Sequence, residues 1–152
     1  MGNRAVMVCK KAVENGRIKP DAIGVYLHWN GDRNSVEGFL AYCRAKGYRR
    51  PEDDCYGWAY LTMTICNFFG NGLSCGVDIA SRLDCDNGDN GVYVIEDWKI
   101  TGRLYAGEDK VCDNVYLRDM LRSIDDAQPA HIRLGWNMID KIIEEKEKEE
   151  GE

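Results

Sequence analysis

The chain has 152 residues, 44% of them hydrophobic and 30% charged, and a net charge of −6. A chain of this length and composition buries roughly two-thirds of its unfolded surface in one domain, which excludes a disordered protein and one that needs disulfides or metal to fold. No apolar run approaches the ~20 residues of a membrane span, no signal peptide opens the sequence, and Val6 stands where a myristoylation signal has Ser or Thr; the expectation is a cytosolic protein that makes no use of a membrane.

The acids are unevenly placed. Residues 137–152 hold seven acids and three lysines, a balance of −4, so the body carries only −2. A basic groove for nucleic acid is not indicated. The expected organisation is one globular domain over residues 1–129, then a helix over 130–152 that ends in a solvated acidic tail. The seven cysteines are odd in number and none has C-x-x-C spacing, so they read as reduced structural thiols, not as a zinc or redox site.

In chain order, residues 4–10 and 22–29 read as strands. In the second, Val25, Leu27 and Trp29 alternate with Tyr26 and His28. The intervening VENGRIKPDA, with its Asn15-Gly16 signal, makes them an antiparallel pair joined by more than a tight turn. Residues 35–46 form a helix with the stripe Val36, Phe39, Leu40 and Cys43. Asn34 is the expected N-cap, Glu37 completes a capping box and Gly47 ends the helix. A second helix runs from about Asp54 to Phe69. Trp58, Leu61, Ile65 and Phe68 are its main stripe, and Cys55, Ala59, Met63 and Phe69 widen it, which predicts a place near the centre of the core.

A short strand is expected near Val77–Ala80, then a hairpin of Val92–Glu96 and Trp98–Tyr105, with Trp98, Ile100 and Leu104 facing one way. A third helix covers 114–125, capped by Asp113, and a fourth covers about 136–149. Strands are not separated singly by helices, so the predicted class is α+β: a small antiparallel sheet of about four strands with helices packed mainly on one face.

Three stretches invite chemistry. In GVYLHWNGDRNS, residues 24–35, His28 moves protons near neutral pH, Asn30 and Asp32 lie close in sequence, and the following helix turns free N–H groups toward the loop, where an anion would sit. The plain alternative is a strand-to-helix turn in which Gly31 permits the bend. DCDNGDNG, residues 84–91, matches a calcium loop poorly. Gly88 falls where a ligand belongs, Asp97 falls where Glu belongs, and a strand follows in place of a helix. Turn chemistry accounts for the stretch better, and Asp86, Asn87, Asp89 and Asn90 then remain as polar groups for a partner. In PEDDCYGWAY, Cys55 at a helix start is a candidate thiolate, which would need His28 folded against it. Phosphate-binding, nucleophile-elbow and zinc-protease motifs are absent, no cofactor or metal is implied, and the glycines punctuate turns.

The segments YLHWNGDRNSVEGFL, DCYGWAYL and DCDNGDNGVYVIEDWKI, with the start GNRAV, resemble a family of small uncharacterised proteins carried by phages and mobile elements of bacteria. The resemblance spans most of residues 1–126 and leaves out the acidic end after Pro129. It implies an accessory protein in the cytoplasm of a bacterial host, of the kind that binds and blocks a host protein or ribonucleoprotein, bacterial immune systems included. The leading expectation is thus a non-enzymatic binding protein, an anti-CRISPR-like inhibitor of bacterial defence, whose surface includes Tyr26, His28, Asn30, Asp32, Asn34, Asp86, Asn87, Asp89 and Asn90. The alternatives are capture of a small anionic ligand such as a nucleotide signal near Asn34, and an enzyme using His28 with Asp32 or Cys55.

Overall fold

The structure, a computed structural model, describes residues 2–107 and 112–151. The Met1 start and the last tail acid, Glu152, lie outside them. The class is α+β. Strands β1 (Ala5–Cys9), β4 (Ile23–Leu27), β5 (Cys75–Ile79), β6 (Val92–Glu96) and β7 (Lys99–Leu104) form one sheet in the order β5-β4-β1-β6-β7. The link between β1 and β4 folds into a separate hairpin, β2 (Val13–Glu14) and β3 (Arg17–Ile18). Asn15 and Gly16 form its turn, both at positive φ as a type I′ turn requires. Helices α1 (Arg33–Ala45), α2 (Cys55–Phe69), α3 (Asn114–Ala127) and α4 (Trp136–Gly151) complete the fold. No helix among the described residues is long and apolar enough to cross a membrane.

Alternation along the strands divides the core in two. Ala5, Met7, Val25, Leu27, Tyr93 and Ile95 face the helices and join Phe39, Leu40, Leu61, Ile65, Leu121 and Ile124 in the main cluster. Ile139 and Ile143 of α4 are fully buried there too. Val6, Val8, Val92 and Val94 face the other way, covered by Ala12, Ile18, Leu83, Cys85 and Leu104. All four helices therefore sit on one side, and hairpin and loop segments close the other.

The sheet departs from the expected four-stranded antiparallel arrangement in having five strands and a parallel pair, β1 with β6. The cause is the irregular segment 80–91. β5 and β6 both run parallel to β1, so the chain must cross two strands between them. It crosses on the helix-free face, with Leu83 seated over Gly24. A second departure lies in β7. A register shift near Val94/Ile95 leaves Thr101 as an extra residue, so Ile100 packs in the main core while Leu104 turns to the other cluster, not to the same side as expected.

Helix α2 carries Asp54 as N-cap, its carboxylate accepting from Tyr56 N at 3.0 Å. Its first turn lies against the Arg50–Pro51 backbone, and a Cβ on Gly57 would come within 2.1 Å of Arg50. This helix is not central. Leu61 and Ile65 are buried, but Cys55, Ala59 and Met63, expected to widen the apolar stripe, are exposed on its outer face. Helices α1 and α3 cross closely at Gly38, beside Met120 and Ile124. The buried carboxylate of Asp125, which no pattern in the sequence marks, accepts from Tyr42 OH at 2.6 Å, Leu134 N at 2.8 Å and Gly135 N at 3.0 Å, tying α3 to α1 and to the link before α4. Burial together with this bond pushes the Tyr42 phenol up from its ordinary value.

Candidate functional site

One end of the sheet gathers most of the residues singled out in the sequence. There β4 and β7 finish, and β1 and β6 begin. Across this rim lie, in order, His28–Gly31, Asn3–Arg4, Asn90–Gly91 and Tyr105.

Asn3 is the hinge pin. Its backbone N–H donates to His28 O at 2.8 Å, and its carbonyl accepts from Gly31 N at 2.8 Å. Its side chain donates to Asp32 Oδ1 at 3.0 Å and accepts from Asn90 Nδ2 at 2.7 Å. A single residue thus binds the loop after Trp29 to the loop before Val92. Arg4 continues the link. Its Nε and backbone N–H both donate to Asp89 Oδ2, at 2.7 and 3.0 Å, and its Nη1 reaches Asp84 at 3.4 Å. The Arg4 guanidinium holds the Asp89 carboxyl below its usual range.

The Asp84–Asn90 loop is organised around Asn87, which is buried. Its amide donates to the carbonyls of Asp84 and Gly91, and its Oδ1 accepts from the backbone N–H groups of Asp89 and Gly91. Asn87 is therefore an internal scaffold of the loop. Asn90 donates to Asn3 and to Arg4 O, while Asp86 is exposed. Among the described residues no group of three His, Cys, Asp or Glu side chains is placed to hold a metal ion.

On the other side of the rim, Asn30 takes a positive φ of 58° and turns the chain into α1. The N-cap is Asp32, not Asn34. Its carboxylate accepts from Ser35 N at 3.1 Å and Ser35 Oγ at 2.9 Å, filling the place an anion would occupy. Entry through Asn30 starts the helix before the predicted residue, so Asn34 falls within its first turn and faces α3. There its Oδ1 accepts from Asp113 N at 2.9 Å, and Glu37 pairs with Arg33 in place of closing a capping box. Gly31 is required for close approach, not for an unusual φ: a Cβ would lie 2.4 Å from Asn3 O. Its carbonyl accepts from the buried Tyr93 OH at 2.7 Å.

Tyr26 OH and His28 Nδ1 lie 3.0 Å apart on the helix-free side, and Trp29 meets His28 edge-on with centroids 5.3 Å apart. The rim does not contain Cys55. That thiol stands at the far end of β4, in a hollow of about 510 Å³ with Cys9, Ile23 and Trp58. Five residues of strand, roughly 16 Å, separate it from His28, so no Cys–His pair forms. Asp32 likewise engages Asn3 and Ser35 in place of orienting His28.

Beside the exposed acids Asp84, Asp86 and Asp89, the rim leaves two large aromatic side chains to solvent. Trp29 is 49% exposed and Tyr105 is 59% exposed. Asn3, Arg4 and Tyr105 are parts of the site that sequence patterns did not mark. A polar pair ahead of a strand and a tyrosine after one carry no signal until the strand order is known. No family model, curated protein or solved structure matches this chain.

Proposed function

We propose that this protein is a non-enzymatic binding protein that docks on a host macromolecule through the Trp29–Tyr105 rim. One observation carries the reading: Asn3, Arg4, Asp32, Asp89 and Asn90 are bonded into one network, and large aromatic side chains project beside it. A small-ligand site needs convergent unpaired polar groups in a concavity. Here the N-terminus of α1 is closed by Asp32, and the hollows of about 510 and 520 Å³ are lined by residues from other parts of the molecule. A pre-ordered surface with aromatic anchors suits a protein or ribonucleoprotein interface, because little side-chain freedom remains to be lost on docking. The resemblance of YLHWNGDRNSVEGFL, DCYGWAYL and DCDNGDNGVYVIEDWKI to small phage and mobile-element proteins suggests a setting in the bacterial cytoplasm and a target among the host's defence complexes, in the manner of an anti-CRISPR.

The test has two parts. Expressed in a host with an active CRISPR system, the protein should raise the survival of a targeted plasmid or phage. Tagged protein should retain a component of that system, and Trp29→Ala with Tyr105→Ala should abolish both effects without changing the circular dichroism spectrum. Full interference in the presence of the protein removes the defence reading, and capture undiminished by the double variant removes the rim as its surface.

A further inference from the structure

The two edges of the sheet are protected unequally. An open strand edge offers unpaired N–H and C=O groups to any extended chain, and proteins blunt it with bulges and charges. At the β7 edge, Lys99 opens the strand, the register shift at Val94/Ile95 breaks its regularity, and Arg103 lies near its end. At the β5 edge the pairing with β4 runs without a shift from Ile23↔Ile79 to Leu27↔Cys75.

The alternation of that pairing tells which groups point outward. Ala80 N donates to Ala22 O at 2.7 Å and His28 N to Ser74 O at 3.2 Å. These bonds place Asp78 and Gly76 in the hydrogen-bonded pairs with β4, so the backbone groups of Cys75, Val77 and Ile79 face away from the sheet. Ile79 N–H is capped by its neighbour, Asp78 Oδ1, at 2.8 Å. Among the described residues no strand lies beyond β5.

The flank beside this edge is apolar. Val77 is 53% exposed and Leu73 59%. Helix α2, packed against β5, turns Cys55, Ala59 and Met63 to solvent. Its fifteen residues, CYGWAYLTMTICNFF, include no Asp, Glu, Lys or Arg.

We propose that β5 pairs antiparallel with β5 of a second copy, centred on Val77, and that the outer faces of the two α2 helices flank the join. The pattern is self-complementary, as a two-fold interface must be. Centring on Val77 sets Cys75 against Ile79 of the other copy, so all three outward-facing residues meet outward-facing partners. It also sets Asp78 against Gly76, which keeps the two carboxylates from facing each other. Ile79 N–H exchanges its local bond to Asp78 for a carbonyl across the join, and Asp78 keeps Arg82, 3.4 Å away. The join keeps like charges apart: copies with a net charge of −6 repel each other over acidic surface such as the end of α4, whereas here α2 brings no charged side chain and each Asp78 faces a glycine of the other copy. This inference does not depend on the rim.

Sedimentation of the purified full chain into the high micromolar range should give a species of twice the 17.3 kDa monomer mass. Val77→Lys and Ala59→Glu, both at exposed positions, should each weaken self-association by about tenfold or more while leaving the melting curve of the dilute monomer in place. Amide exchange on the unaltered protein gives an independent readout. Gly76 and Asp78 are protected by β4 at every concentration, and Val77 should become protected only as the dimer forms. A monomer at all concentrations, a dimer insensitive to both variants, or a Val77 amide that exchanges freely within the dimer would each overturn the proposal.

Discussion

The rim at the end of the sheet and the flank of β5 and α2 are both exposed, and they are built on opposite principles. At the rim the polar groups answer one another: Asn3 joins Asp32 to Asn90, Arg4 joins Asp89, and Asn87 closes its own loop. At the flank the backbone groups of Cys75 and Val77 face outward, the neighbouring helix α2 carries no charged side chain, and the one acid of β5, Asp78, pairs locally with Arg82. The difference teaches where surface substitutions act. Rim residues hold the fold together as well as presenting a surface, so their loss costs stability. Flank residues such as Val77 and Ala59 contribute little within one chain, so their loss shows mainly in association.

The contrast breaks most visibly at Gly31. A methyl group there would lie 2.4 Å from Asn3 O and 2.8 Å from Arg4 C, and this backbone, leading straight into the central strand β1, cannot yield cheaply. Gly31→Ala should destabilise the chain by about 2–3 kcal/mol, with the loop displaced and the Tyr93–Gly31 bond lost. Urea denaturation with an unchanged m-value is the measurement. A loss no larger than that of an ordinary exposed substitution would mean that the rim is not rigidly seated on β1.

Much of this architecture was legible in the sequence, and the part that was not has a common cause. Period-2 and period-3.6 patterns located the strands and helices because each buries one face locally, as Val25 and Leu27 do in β4 or Leu117 and Leu121 in α3. The same logic failed for α2. Its outer face, with Cys55, Ala59 and Met63 and no charged side chain, looks like core in sequence, and only its place beside an edge strand shows that Met63 and Ala59 meet solvent. Within the site, Asn87 and Asn90 read as turn residues and Asp32 as a companion of His28, but the partners these side chains actually take are invisible in sequence. Asn3 meets Asn90 across 87 positions and Tyr93 meets Gly31 across 62, and those separations close only once the crossover at 80–91 sets β6 parallel to β1.

A smaller effect isolates the bridge itself. Asn3→Ala removes the donor to Asp32 and the acceptor for Asn90 while keeping the backbone bonds to His28 and Gly31. The expected loss is about 1–2 kcal/mol, and a double-mutant cycle with Asn90→Ala should show coupling of about 1 kcal/mol. The same cycle between Asn3 and Val77 on the flank should give additive losses, because no contact joins them. Additivity of Asn3 with Asn90 would leave the two loops as neighbours without a shared network.

The smallest effect is electrostatic and concerns acid. Arg4 donates to Asp89 from both its side chain and its backbone, and these bonds lower the Asp89 pKa in the folded chain. A carboxyl whose folded pKa lies below its unfolded one favours folding above the unfolded value of about 3.9. That contribution disappears as the pH falls through the folded pKa, because the folded state then binds the proton it had resisted. Because the pair is exposed and screened by salt, the change should be slight. Replacing Asp89 with Asn should therefore lower stability slightly at neutral pH, leave it unchanged in strong acid where Asp89 is protonated anyway, and so flatten the limb below about pH 4, with the difference shrinking as salt is added. An acid limb unaffected by Asp89→Asn would show that the rim is held by its neutral amide bonds, Asn3 with Asn90 foremost, with the Arg4–Asp89 ion pair contributing nothing measurable.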